Sequence, residues 1–237
     1  MKAEEGNMKV TIIAAFVLLV LYVILPPSSF ILPPSSFILP PSNVMFPIWL
    51  KIAYTIFVCL IIPVYWKQYG PANFLWFSDI ALFVTVPALW FENSLLASMM
   101  LLAVAIVELA WNIDFFGGLL FGRNVFGLSS YMFDPKIPLS VRALSLFHIF
   151  LPPLLLWMVY RLGYDERALI GQTLLAWVVL PLSYLLAKPS ENVNWVRGLQ
   201  GKPQTTISAP LYLILTAIAF PVLIYLPTHF ILKKLLR

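Results

Sequence analysis

Long apolar stretches separated by short polar segments make up most of the chain. Most of these stretches approach the length of about 20 residues that a helix needs to cross the hydrocarbon core of a bilayer. We predict spanning helices at residues 10–25, 46–66, 72–91, 94–116, 139–160, 168–187 and 209–232. The expected fold is therefore an all-α, polytopic transmembrane helical bundle with about seven spans, or about six if the first stretch is a cleaved secretory signal.

The N-terminal region differs in pattern from the rest of the chain. Residues 1–25 combine Lys2 and Lys9 with an apolar run and are predicted to form an uncleaved anchor helix, because no small-residue cleavage site follows. Residues 26–45 contain the heptad PPSSFIL twice in succession. Paired prolines break a helix, so this segment is predicted to be an extended, proline-rich repeat linker. Residues 46–237 are then expected to form a six-span helical membrane domain.

Composition excludes a water-soluble globular domain. Hydrophobic residues make up 61% of the chain and charged residues 11%, whereas soluble domains carry about 25% charged residues. The net charge of +5 is spread over short loops and both termini, without a basic block or a nucleic-acid motif, so nucleic acid is not an expected partner. The lipid bilayer is the expected partner. Cys59 is the single cysteine, which rules out a disulfide within the chain.

The distribution of lysine and arginine predicts the orientation in the membrane. Basic residues are more frequent on the side of the N-terminus, around residues 67, 123–142 and 188–202, than on the opposite side. Because cytoplasmic loops are enriched in lysine and arginine, the N-terminus is predicted to lie in the cytoplasm. The basic C-terminus, which includes Lys233 and Lys234, is an argument against this orientation.

Three ionisable residues, Asp79, Glu108 and His148, interrupt separate apolar stretches. At a rise of 1.5 Å per residue, each lies on the order of 10–14 Å from the same surface, which is the cytoplasmic one in the predicted orientation. A charged side chain at the centre of a spanning helix costs about 2.5–3.5 kcal/mol, so such residues usually face the bundle interior and find partners there. We therefore predict that the three residues form a polar intramembrane site.

Further polar residues accompany this cluster. Asn112 follows Glu108 by about one helical turn and shares its face. Asp114 lies near the end of the same stretch, and Arg142 lies near the start of the next one. We include these residues among the candidates for ligand or proton binding. The loops at 117–138 and 188–208 lie on the same side of the membrane and are candidates for a lid over the site.

This combination of side chains is compatible with several kinds of chemistry. Carboxylates and an imidazole can exchange protons, act as general acid and base, or bind a divalent metal such as Zn, Fe or Mn. They can equally hold helices together as hydrogen-bonded pairs. The chain contains neither a paired-histidine metal motif nor a glycine-rich phosphate loop, so the sequence predicts no particular metal or cofactor.

Three segments carry a resemblance to a known family: YGPANFLWFSDIALF at 69–83, ELAWNIDFF at 108–116 and RALSLFHIFLPP at 142–153. They resemble a family of small bacterial multi-pass membrane-associated proteins. This resemblance covers roughly residues 46–200 and implies a location in the bacterial cytoplasmic (inner) membrane, without implying an activity.

A shorter segment, WKQYG at 66–70, is similar to the WKEYG segment of the sterol-isomerase-like (emopamil-binding) family. That family continues with an acidic residue and then Arg-Tyr, whereas this chain continues with Pro71, Ala72, Asn73 and Phe74. The similarity adds a lipid-binding enzyme to the alternatives.

We expect an integral membrane protein that binds or translocates a small ligand, a proton or a cation at the polar site. Asp79 and Glu108 would be its charged ligands, and His148 their proton-exchanging partner. The first alternative is a non-catalytic structural or accessory subunit of a membrane complex, which requires a membrane protein partner. The second alternative is a membrane lipid-modifying enzyme that uses the same residues as acid and base.

Overall fold

The computed structural model describes residues 45–199 and 203–236. Residues Ile48–Arg237 form one unit. All regular secondary structure in the described ranges is helical, which confirms the all-α prediction. The predicted first span at residues 10–25 and nearly all of the predicted repeat linker at 26–45 lie outside these ranges.

The α-helices follow one another along the chain with short connections. They are α1 (Ile48–Tyr69), α2 (Phe77–Trp90), α3 (Ser94–Phe121), α4 (Leu139–Leu144), α5 (Phe147–Leu162), α6 (Ala168–Leu186), α7 (Ala209–Ala219) and α8 (Leu226–Leu235). A π-helical segment, Phe220–Tyr225, joins α7 to α8. Short 3-10 turns occur at Pro71–Leu75, Ser130–Phe133 and Val193–Trp195.

Several of these helices have the length and composition of membrane spans. Within the described residues, five stretches are long and apolar enough to cross a membrane: Ile48–Tyr69, Ser94–Phe121, Leu139–Leu162, Ala168–Leu186 and Ala209–Leu235. Each corresponds to a predicted span, and together they are compatible with an integral membrane protein in contact with a lipid bilayer. The predicted total of about seven spans is not confirmed.

The predicted span at 72–91 is a shorter helix in the structure. Its helix, α2, has 14 residues, or about 21 Å, which is less than the thickness of a hydrocarbon core of about 30 Å. The cause lies before the helix, because Gly70 has a φ of 82° and Pro71 begins a 3-10 turn. Hydropathy does not detect this turn because Asn73 is its only polar residue.

The central helix is α3, which packs against α2, α5 and α6. Every residue from 96 to 104 is buried. Gly171 of α6 lies close to α3, because a Cβ atom there would lie 2.8 Å from Sδ of Met99. Small residues at such contacts are typical of membrane bundles because they allow two helix backbones to approach each other.

Local signals define both ends of α3. Its first turn is capped by Asn93, whose side chain accepts a hydrogen bond from the N–H of Leu96 at 2.9 Å. Its last turn ends at Gly122, which adopts a left-handed φ of 66°. The predicted start at residue 94 is confirmed, whereas the helix continues beyond the predicted end at 116 to Phe121.

The outer faces of the helices are apolar. Leu109 on α3 is 61% exposed, and α7 contains no buried residue. Apolar surface of this kind costs about 25 cal/mol per Å² in water. A bilayer removes this cost, which fits the lipid contact expected from the sequence.

Candidate ligand-binding site

A cavity of about 340 Å³ lies between the C-terminal turns of α1, the N-terminal turn of α2, the middle of α3 and the start of α5. Residues from the loops that follow α3 and α6 complete its wall. Asp79, Glu108 and His148 all line this cavity. The structure therefore brings together three residues that the sequence places at a common depth on separate helices.

Glu108 of α3 and His148 of α5 form a hydrogen-bonded pair. Nδ1 of His148 lies 2.7 Å from Oε2 and 2.9 Å from Oε1 of Glu108. The carboxylate is buried, and the imidazole ring stacks against Trp111 and Phe147 with ring centroids 4.6 and 4.1 Å apart. In the described part of the chain, Nε2 of His148 makes no hydrogen bond. The pair therefore orients an imidazole whose second nitrogen is free to exchange a proton or to bind a ligand.

Asn112 supports this pair without lining the cavity. Its side-chain amide donates to the main-chain carbonyls of Glu108 and His148, each at 2.8 Å. The hydrogen bond to Glu108 lies within α3, and the one to His148 joins α3 to the first turn of α5. The residue shares the face of Glu108, as its spacing in the sequence predicts, and it fixes the backbone that carries His148.

Asp79 has a different environment, in the first turn of α2. It is only 3% exposed, and its Oδ2 accepts one hydrogen bond, from Nδ2 of Asn73 at 3.1 Å. Its Oδ1 atom is buried and has no partner among the residues that the structure describes. Tyr69 also lines the cavity, and its hydroxyl oxygen is likewise buried without a partner among the described residues. Leaving a buried acceptor unsatisfied costs about 1–3 kcal/mol.

Asp114 organises the loop after α3 and does not line the cavity. Its carboxylate accepts from the N–H groups of Phe126 at 2.6 Å, Gly127 at 3.0 Å and Ser129 at 2.7 Å, and from the Ser129 hydroxyl at 2.7 Å. Nδ2 of Asn124 adds a further donor at 3.2 Å. These hydrogen bonds hold Phe126 and Gly127 in place as part of the cavity wall.

Arg142, another of the predicted site residues, lies on α4 and also outside the cavity lining. Its Nη1 atom donates to the main-chain carbonyl of Met132 at 2.9 Å, which ties α4 to the 3-10 turn at Ser130–Phe133. Next to Met132, Tyr131 lines the cavity. Burial raises the pKa of the Tyr131 phenol, so this side chain offers a neutral hydroxyl to the cavity.

Asn194 contributes to the cavity wall and belongs to the loop after α6, which the sequence predicts as a candidate lid. It adopts a left-handed φ of 53°. Its Oδ1 accepts from the N–H of Phe77 at 3.1 Å, while its Nδ2 donates to the carbonyl of Leu75 at 2.7 Å and to Oγ of Ser183 at 3.0 Å. One side chain thus caps α2 and connects it to α6.

The aromatic character of the wall escaped the sequence analysis. Three tryptophans and three tyrosines line the cavity, namely Trp76, Trp111, Trp195, Tyr65, Tyr69 and Tyr131. Trp76 and Trp195 meet edge to face with ring centroids 5.9 Å apart. The Tyr65 hydroxyl lies 2.6 Å from Oγ of Ser145. Aromatic residues are frequent throughout the chain at 15%, so their number alone does not indicate which of them meet.

The described residues include no group of three or more His, Cys, Asp or Glu side chains that could hold a metal ion. The cavity instead combines two buried carboxylates and one imidazole with aromatic walls, an arrangement suited to an organic ligand. Comparison of the chain with protein-family models, with curated proteins and with solved structures finds no match.

Proposed function

We propose that this protein binds a small ligand in the cavity lined by Asp79, Glu108 and His148, inside the membrane. Translocation of that ligand is an extension of the same proposal. The observation that carries it is Asp79, which lines a cavity of about 340 Å³ and whose buried Oδ1 atom has no partner within the described residues. Cavities that bind small molecules have volumes of about 300–1,000 Å³.

A purely structural role explains the Glu108–His148 pair better than it explains Asp79. Glu108 and His148 join α3 to α5, as a pair that holds two helices together would do. Among the described residues, Asp79 joins α2 to no other helix, because its one hydrogen-bond partner, Asn73, lies in the turn just before α2. A buried carboxylate with one hydrogen bond is costly, and a ligand that supplies the missing partner offsets that cost.

A ligand screen with a blocked cavity tests the proposal. Val107 lines the cavity, and Val107→Trp is designed to fill it. Ile106 lies on the outer surface, 37% exposed, so Ile106→Trp is the matched control. The probes are small amines, carboxylic acids and alcohols, and the measurement is the melting temperature of the full chain in lipid nanodiscs.

We expect at least one class of probe to stabilise the wild type and the Ile106→Trp control but not the Val107→Trp variant. Stabilisation reaches about 2.7 kcal/mol when the ligand concentration is 100 times Kd. The proposal fails if no probe changes the melting temperature of the wild type, or if all three proteins respond alike.

The Glu108–His148 pair supports a second candidate function, acid–base catalysis on a membrane lipid. A carboxylate bound to Nδ1 holds the imidazole in one orientation and leaves Nε2 as the proton-transfer atom. This function predicts that Glu108→Gln abolishes turnover of the lipid while the lipid still binds. Simple binding predicts that the wild type does not turn over any lipid. Translocation predicts that Glu108→Gln remains folded but no longer moves the ligand across the membrane.

The accessory-subunit alternative makes a separate prediction. If the protein only buries its helices against a partner, Asp79→Asn and Glu108→Gln change its assembly or abundance and nothing else. The largely exposed α7 would be the contact surface in that case, although lipid covers the same surface equally well. The location that we propose is the bacterial inner membrane, on the basis of the resemblance in residues 46–200, with the cavity near the cytoplasmic side.

A further inference from the structure

We propose that the ligand of this cavity is a small protonated amine with an apolar body, bound by Asp79 and the surrounding aromatic rings. The inference rests on the proposed function and specifies the class of ligand. It follows from the charge of the wall, the aromatic side chains, the volume and the positions of buried acceptors without partners.

The charged side chains of the cavity wall are acidic except for one histidine. Asp79, Glu108, Glu191 and His148 line it, and none of the lining residues that the structure describes is a lysine or an arginine. Glu191 pairs with Lys188 at 3.1 Å, and Glu108 pairs with His148. No described cation pairs with Asp79. An anionic ligand would meet repulsion there, whereas a cationic ligand would supply the missing charge.

The aromatic wall favours a cation that carries carbon. The faces of tryptophan and tyrosine rings attract cations that lie within about 6 Å of the ring centroid. Trp76, Trp111 and Trp195 all belong to the lining, together with Tyr65, Tyr69 and Tyr131. The same rings accommodate the apolar body of a ligand, so charge and hydrophobic surface can be bound side by side.

The volume distinguishes an organic cation from a metal ion or a proton. A cavity of about 340 Å³ is much larger than either of them requires. A metal ion needs several ligand atoms around one point, and the described residues offer no cluster of three or more such side chains. An amine of a few carbon atoms uses both the space and the carboxylate.

Two buried oxygen atoms indicate a ligand that has N–H donors. Oδ1 of Asp79 and the hydroxyl oxygen of Tyr69 each lack a partner within the described part of the chain. A primary ammonium group has three N–H bonds, which is enough to supply a donor to each of these oxygens. A quaternary ammonium group can contact the rings but cannot donate a hydrogen bond, so we expect it to bind more weakly.

Four compounds with the same phenyl body test the inference: 2-phenylethylamine, 2-phenylethanol, 3-phenylpropanoate and trimethyl(2-phenylethyl)ammonium. Their Kd values are measured by calorimetry on the full chain in phosphatidylcholine nanodiscs. A hydrogen bond to a charged group should make the amine bind roughly 10- to 100-fold more tightly than the alcohol. The propanoate should bind most weakly of the four.

Substitutions then assign the binding to the two oxygens. Asp79→Asn should remove the roughly 10- to 100-fold preference for the amine and leave the Kd of the alcohol little changed. Tyr69→Phe, which removes one hydroxyl group, should weaken amine binding by roughly three- to tenfold. Asp165→Asn is the matched control, because it removes a carboxylate that does not line the cavity. If Asp79→Asn does not fold, the inference is tested by Tyr69→Phe and by the order of the four Kd values on the wild type.

The ammonium group can come from a free amine or from the headgroup of an aminolipid. In phosphatidylethanolamine nanodiscs, a headgroup ligand should raise the melting temperature of the wild type and compete with 2-phenylethylamine, and Asp79→Asn should lose both effects. A free-amine ligand predicts the same Kd for 2-phenylethylamine in both kinds of nanodisc.

Other outcomes overturn the inference and separate it from the proposed function. Tighter binding of the alcohol or the propanoate than of the amine refutes the amine ligand, while binding of small ligands by the cavity stands. Equal binding of the quaternary compound and the amine refutes hydrogen bonding to Asp79 and Tyr69. If none of the four compounds binds the wild type, the amine inference fails, and the screen with Val107→Trp decides the proposed function independently.

Discussion

The side-chain amide of Asn112 donates a hydrogen bond at 2.8 Å to the main-chain carbonyl of His148. In a regular helix this carbonyl would accept from the N–H of residue 152, which is a proline and has no N–H. Asn112 therefore satisfies the carbonyl that Pro152 leaves free. It does so at the residue whose imidazole lines the cavity.

Replacing Asn112 with alanine should destabilise the protein by about 1–3 kcal/mol, because the His148 carbonyl then lacks a partner in apolar surroundings. Unfolding in detergent, measured against the wild type, gives this value. Pro152→Ala supplies the control, since it restores the N–H of residue 152. Asn112→Ala should therefore cost less stability in the Pro152→Ala protein than in the wild type. Equal costs in the two proteins would contradict our explanation.

Removing the Asp114 carboxylate should release the loop after α3. Asp114→Ala leaves the N–H groups of Phe126, Gly127 and Ser129 without their acceptor, and we expect a loss of about 3 kcal/mol. Hydrogen exchange should accelerate at these three amides. Asp134→Ala is the matched control, because Asp134 accepts from one main-chain N–H, that of Lys136. Equal exchange rates in the two variants would show that Asp114 does not hold the loop.

The loop between α5 and α6 should contribute to stability in a pH-dependent way. Hydrogen bonds from the Arg167 guanidinium hold the pKa of Asp165 below its ordinary value of 3.8. A carboxyl group whose pKa is lowered on folding stabilises the folded state above the unfolded pKa, and this contribution is lost as the pH falls through the lowered value. The melting temperature of the wild type should therefore exceed that of Asp165→Asn at neutral pH.

Below the lowered pKa the melting temperatures of the wild type and Asp165→Asn should converge. The effect should be small and sensitive to salt because the Arg167 side chain is largely exposed. A difference that persists unchanged in acid would mean that the substitution acts through something other than the charge of Asp165.

Labelling with a membrane-impermeant thiol reagent should reveal the orientation of the helices. In a Cys59→Ala parent, cysteines introduced at Ser130 and Ser190 should react from the same side of the membrane, because both loops contribute to the cavity wall. A cysteine at Arg161, in the exposed C-terminal turn of α5, should react from the other side. In the orientation that we propose, the first two sites are cytoplasmic. Labelling of all three sites from one side would exclude α5 as a membrane span.

One helix boundary and the meeting of three polar residues were predictable in this protein. The start of α3 follows from an asparagine cap before a long apolar run, and the sequence predicts it at residue 94. The meeting of Asp79, Glu108 and His148 at one cavity follows from their common depth and the cost of exposing them to lipid. What they bind there remains a proposal.

Two other features did not follow from the hydropathy pattern. The 3-10 turn before α2 has the same hydropathy as a helix, so the predicted span begins at residue 72, whereas α2 begins at Phe77. Asp114 and Asp79 look alike in the sequence, yet the first accepts from several loop N–H groups and the second has a single partner among the described residues. Only the path of the loop after α3 distinguishes them.

The position of Asn194 sets an order on the assembly of the cavity. This residue caps α2 from 117 positions further along the chain. During synthesis, α2 and α3 therefore emerge long before the side chain that closes the first turn of α2 and joins it to α6. Until then the N–H of Phe77 lacks this acceptor, and the cavity lacks the wall residues of the loop after α6. The cavity is thus a late product of biogenesis, and a chain truncated before residue 194 would contain the ionisable residues without a finished cavity.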